Sequence, residues 1–213
     1  MIDKKKPILR GHFHQAAFFV ALGAGSVLTA LAKNSGTQQI CLIYVISLLT
    51  MYGCSSLYHR INWQPSPRKW LRRLDHAAIF FLIAGTGTPI SLLGLKGEAG
   101  DNLLKIFWIM ALAGVAKELF WIKAPKWLSA IFFVLMGWAG APYLTEMKTN
   151  LGGTNIALLI TGGSIYTIGA LIYASKKPDP MPDFFGYHEL FHLLVIIASV
   201  LHFAVVFNLA LLN

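Results

Sequence analysis

Apolar residues fill the chain in long runs, interrupted by short turns rich in polar residues, glycine or proline. A membrane-crossing helix needs about 20 consecutive apolar residues. Seven segments meet that pattern: 15–32, 38–59, 75–95, 102–121, 127–144, 154–174 and 187–212. The turns between them carry Pro65 and Pro67, Gly97, Pro125, Gly152 and Gly153, and the stiff Lys176-Lys177-Pro-Asp-Pro-Met-Pro connector. The connector 60–74 is basic, and its Trp63 and Trp70 are expected as interface anchors. The pattern predicts an all-α fold, a polytopic membrane protein of seven transmembrane helices. One domain covers 1–213, with 1–14 as a polar tail and 15–212 as the helical bundle. Ala30-Leu31-Ala32 has the form of a signal-peptidase site, but the apolar run before it is long for a signal peptide, so an uncleaved first span is expected.

Composition agrees with this pattern. The chain is 56% hydrophobic and 13% charged, where a soluble domain carries about 25% charged residues. The net charge of +9 does not imply nucleic acid, because the bases fall where membrane topology places them. With the N-terminus in the cytoplasm, inside segments hold Lys4, Lys5, Lys6, Arg10, Arg60, Arg68, Lys69, Arg72, Arg73, Lys123, Lys126, Lys176 and Lys177. The outside connectors hold Lys33, Lys96, Lys105 and Lys148, and Lys117 lies within a span. Thirteen against four orients the N-terminus inside and the C-terminus outside; the membrane expected is the cell inner membrane. Cys41 and Cys54 share one apolar segment, about 20 Å apart along a helix, so no disulfide joins them.

Ionisable residues inside spans are costly and mark function. His188 and His192 are four apart, on one face of the last span, and can bind one metal ion. His59 ends the second span and Asp75 opens the third on the same side of the membrane. Ser55 is one helical turn above His59. Three histidines with a free fourth position for water are the donor set of a catalytic zinc site, which lowers the pKa of that water to about 7. Asp75 is then the natural general base, and Ser55 a hydrogen-bonding support. Plainer readings exist: Asp75 as a helix N-cap, Ser55 bonded back to its own helix, and two histidines that merely share a face. His202 lies about 15 Å beyond His192 and is expected to be packed or hydrogen-bonded instead. His76 points about 100° away from Asp75, His12 and His14 fall in the tail, and Glu118 is a candidate pocket residue beside a snorkelling Lys117.

The segments Ser55-Ser56-Leu57-Tyr58-His59, Leu74-Asp75-His76-Ala77-Ala78-Ile79-Phe80-Phe81-Leu82-Ile83-Ala84-Gly85 and His188-Glu189-Leu190-Phe191-His192-Leu193-Leu194-Val195 resemble the bacterial hemolysin III proteins. These are grouped with the progestin and adipoQ receptors, including adiponectin receptors, in a superfamily that also holds alkaline ceramidases. The resemblance covers essentially the whole chain. It implies a seven-helix fold, zinc held by His59, His188 and His192, and Asp75 and Ser55 acting on the zinc-bound water. It also implies lipid-amide hydrolysis of the ceramidase kind, in membrane lipid homeostasis, with membrane lipids as partners.

Four functions compete at this point. The first is a zinc-dependent lipid-amide hydrolase with its site near the cytoplasmic face and a polar head near Arg72 and Arg73. The second is a receptor or sensor in which the same zinc is structural. The third is a metalloprotease reading of His188-Glu189-x-x-His192, which leaves Ser55, His59 and Asp75 unexplained. The fourth is a hemolysin-type cytolytic protein, although the spans lack the amphipathic character of a soluble toxin that inserts.

Overall fold

The computed structural model describes residues 6–121 and 124–212. Lys4, Lys5 and Lys123, which entered the charge count, lie outside them. Among the described residues the fold is helical throughout, apart from one isolated bridge between Met181 and Phe185. The helices are α1 (His12–Leu31), α2 (Ser35–Arg60), α3 (Pro65–Gly94), α4 (Glu98–Phe120), α5 (Lys126–Gly137), α6 (Leu144–Ser175) and α7 (Tyr187–Leu212). A 3-10 turn at Ala141–Tyr143 precedes α6.

Five helical stretches are long and apolar enough to cross a membrane: His12–Leu31, Ser35–Arg60, Pro65–Gly94, Trp127–Ser175 and Tyr187–Leu212. Helix α4 falls outside this group; Glu98, Asp101, Lys105, Lys117 and Glu118 interrupt its apolar residues. Helix α5 has 12 residues, about 18 Å of helix, which alone is short of a bilayer core of about 30 Å. Its path continues through the 3-10 turn into α6 as far as Gly152, whose φ of 77° breaks the helix. That conformation is open to glycine at little cost. The turn expected at 148–153 is therefore one residue wide, with helix on both sides.

Two other boundaries differ from expectation. Helix α3 begins at Pro65, ten residues before Asp75, with proline in its first turn where the missing N–H costs nothing. Asp75 is thus an interior helical residue and not a cap. Helix α1 begins at His12, so His12 and His14 belong to it rather than to the tail. Helix α7 spans 187–212 as the sequence pattern predicts.

Sequential helices pack side by side, α1 on α2, α2 on α3, α3 on α4 and α6 on α7, and α1 also meets α7. The α2–α3 contact is close. A Cβ on Gly85 would lie 2.1 Å from Ser47 Oγ, so the backbones approach at a distance only glycine permits. Large apolar side chains such as Phe19, Val20, Ile109, Leu112, Leu171 and Val200 point outward and exposed. Large apolar side chains exposed on several helices suit lipid. Cys41 and Cys54 are both free thiols.

Candidate metal centre

Helix order brings the C-terminal end of α2, the N-terminal ends of α1, α3 and α7, and the C-terminal end of α4 to one end of the bundle. His59 occupies the last turn of α2, and His188 and His192 occupy the first turns of α7. One nitrogen from each ring can be chosen so that all three lie within 4.8 Å of one another. His59 Nε2 and His188 Nε2 are 3.0 Å apart. The ring centroids are separated by 4.4 Å for His188 and His192, 4.7 Å for His59 and His188, and 5.1 Å for His59 and His192. All three side chains are buried.

The donor set fits a metal ion. Two imidazole nitrogens in direct contact can share at most one proton, and His192 Nδ1 is buried without a hydrogen-bond partner. Leaving such groups unsatisfied in a buried site costs about 1–3 kcal/mol each. Three converging neutral nitrogens are what a tetrahedral metal site requires.

Asp75 and Ser55 stand beside this group. Asp75 Oδ2 is 3.5 Å from His59 Nε2, and the carboxylate is buried. It is not one of the clustered donor atoms, so it borders the centre without completing it. Ser55 Oγ is buried, has no partner at hydrogen-bonding geometry, and stands next to the Asp75 carboxylate. An unsatisfied hydroxyl one turn from His59 is available to a ligand. The bundle thus brings together all five residues singled out in the sequence.

His14 was missed. It is buried on α1, and its ring stacks on His192 with centroids 3.9 Å apart and planes 14° from parallel. Neither ring nitrogen has a hydrogen-bond partner, and Tyr52 packs edge-on at 5.2 Å. The signal was present. Once α1 is allowed to start at His12, His14 becomes an ionisable residue inside an apolar helix, which is a functional candidate by default.

The remaining polar residues have other employment. Glu189 is fully buried, pairs with Arg10, and accepts the Gly186 N–H at 2.9 Å, closing the N-terminus of α7. A carboxylate held in this way is not poised as a protease base. Glu118 pairs with Lys117 at 2.7 Å, accepts from Ser129 Oγ at 2.7 Å, and lies 3.4 Å from His76 Nδ1. His202 contacts the Leu159 carbonyl at 3.2 Å, the hydrogen-bonded role expected of it.

Two cavities meet at the histidines. A chamber of about 120 Å³ runs into the bundle from Ser55, Asp75, His188 and His192 to Leu82, Phe107 and Trp138. A vestibule of about 240 Å³ lies at the basic end, lined by Arg10, Arg72, Arg73, Tyr58, His59 and Glu118 among others. His76, Tyr173 and His188 line both.

Residues 2–203 match the model of the family described as "Haemolysin-III related". The chain is 31% identical to the Hemolysin-3 of Bacillus cereus over 202 residues, 93% of this chain and 89% of the relative. It is 32% identical to a Hemolysin-3 homolog of Bacillus subtilis over 206 residues, 95% of this chain and 93% of the relative. A more distant match is the human monocyte to macrophage differentiation factor, 23% identical over 194 residues, 89% of this chain and 78% of the relative.

Proposed function

The chain belongs to the haemolysin-III-related family of membrane proteins, and from that premise we propose that it is a zinc-dependent hydrolase of lipid amides. His59, His188 and His192 hold the metal in this reading, and zinc suits three neutral imidazoles with a fourth position left open. The observation that carries the proposal is the convergence of these rings with Asp75 and the unsatisfied Ser55 hydroxyl on an apolar chamber.

Zinc bound there would polarise the amide carbonyl and make a water nucleophilic at neutral pH. The chain's own residues do the rest. The chamber, walled by Leu82, Val195 and Phe107, takes an acyl chain and sets the amide beside the histidines. Asp75 Oδ2 accepts the proton of the attacking water and returns it to the departing nitrogen, as the C–O bond forms and the C–N bond breaks. Ser55 Oγ donates to the oxygen that gains charge in the tetrahedral state. In this reading the chain crosses the inner membrane seven times with its N-terminus inside and its centre near the cytoplasmic face, which the arrangement of bases supports.

The test is Asp75→Asn in detergent-purified protein. Metal content should stay at the wild-type level while hydrolysis of lipid amides falls about 10²–10⁴-fold. A variant that keeps its metal and cleaves at the normal rate sinks the mechanism.

A second reading, a receptor or sensor with structural zinc, draws support from the position of the ligands on α2 and α7, helices that otherwise touch little. A zinc-loaded protein with no turnover across a broad lipid panel would favour it. Liposome leakage by the purified protein is the separate check on direct cytolysis.

A further inference from the structure

Resting on the hydrolase reading, we propose that the vestibule is the subsite for an anionic, phosphate-bearing head group on an amide lipid, gripped by Arg73 and Arg72. The cavity opens beside His59 and His188 and is lined by Arg10, Arg72 and Arg73. Arg10 is already committed to Glu189. Among the described residues, neither Arg72 nor Arg73 forms an ion pair. Arg73 Nε is buried with no hydrogen-bond partner. Its guanidinium lies 4.2 Å over the Trp70 ring, a stack that holds the planar fork in one orientation. A guanidinium held flat over a ring at the wall of a cavity, with no ion-pair partner among the described residues, suits a bidentate oxyanion.

The other charges do not cancel this one. Glu118 also faces the vestibule, but Lys117, Ser129 and His76 already surround its carboxylate. At the same end of the bundle, burial and then the fields of Arg68, Arg10 and Arg60 hold the Lys6 ammonium below its ordinary lysine value. Along the vestibule wall itself, Arg10, Arg72 and Arg73 stand against the Glu118 carboxylate. The positive-inside bias accounts for exposed Arg68 and Lys69, but not for the half-buried Arg73 that lines the vestibule beside the metal centre. His76, Tyr173 and His188 line both cavities, so a head group held by Arg73 lies next to the apolar chamber that would take its acyl chain. This favours a lipid over a free anion.

The test is equilibrium binding of N-hexanoyl ceramide phosphate, N-hexanoyl ceramide and inorganic phosphate to the full-length protein in neutral detergent. Metal content is measured on the same samples. The phosphate-bearing lipid should bind about ten-fold more tightly than its neutral twin. Arg73→Gln should abolish that advantage, Arg68→Gln should retain it, and inorganic phosphate should compete only weakly. Equal affinity for the two lipids overturns the inference, and so does the same loss in Arg68→Gln as in Arg73→Gln, which marks diffuse surface charge. Full competition by inorganic phosphate at equal concentration assigns the site to a free anion and overturns the lipid assignment. If Arg73→Gln does not fold, Arg72→Gln decides by the same comparison. Bound zinc with equal lipid affinities defeats this inference alone; head-group discrimination without zinc defeats the hydrolase reading alone.

Discussion

At the scale of single residues, the five groups around the centre divide by what their loss should do. Removing a histidine removes a donor, whereas Asp75 and Ser55 border the donors and leave them intact. His14 belongs to a third kind, a side chain that fixes the orientation of His192 through a stack. His14→Ala should weaken metal binding about 10-fold, within the range seen for groups that orient ligands, and His14→Phe should restore most of it by restoring the stack. A metal titration of both variants checks this; equal losses in the two would show that stacking is not the means. Glu189→Gln separates the protease reading from the structural one. With its charge gone, Arg10 loses its partner and stability should fall by about 1–3 kcal/mol, yet turnover per folded molecule should persist. Complete loss of activity in a folded Glu189→Gln protein would reinstate Glu189 as a base. Ser55, His59, Asp75, His188 and His192 were all legible in the sequence because spacing and membrane side converge on them. His14 is not, because the polar and basic residues before Gln15 hide the start of α1 at His12.

At the scale of elements, hydropathy reads the apolar part of a helix and not the helix itself. Helix α7 is apolar over most of its length, its histidines and Glu189 aside, and its bounds are legible in the sequence. Helix α3 begins with Pro65, Ser66, Pro67, Arg68 and Lys69, so its first turns carry no apolar signal and Asp75 looked like a beginning. In the fold Asp75 sits about three turns inside a rigid element, which is what allows it to be held at 3.5 Å from His59. That distance depends on how closely α2 and α3 approach. Gly85→Val would put its Cβ where Ser47 Oγ now is, forcing the helices apart. The expected cost is about 1–3 kcal/mol, read as a lower unfolding temperature, together with reduced hydrolysis despite an unchanged set of ligands. Normal activity at normal stability would show that the spacing is not needed.

At the scale of the whole molecule, charge and metal each make a claim. The excess of bases on alternate connectors predicts which end faces the cytoplasm. In a background without Cys41 and Cys54, Lys69→Cys should react with an impermeant maleimide only after the cells are opened, and Glu98→Cys should react in intact cells. The reverse pattern would invert the topology and move the centre to the outer face. A metal held by His59, His188 and His192 would tie α2 to α7. Its removal by a chelator should lower the unfolding temperature, since a ligand that binds only the folded state stabilises it.

The central claim is that His59, His188 and His192 hold one zinc ion, and elemental analysis of protein purified in detergent tests it directly. One equivalent of zinc per chain is predicted for the wild-type protein and none for the His188→Ala/His192→Ala double variant. No metal in the wild-type protein, or an undiminished equivalent in the double variant, would contradict it.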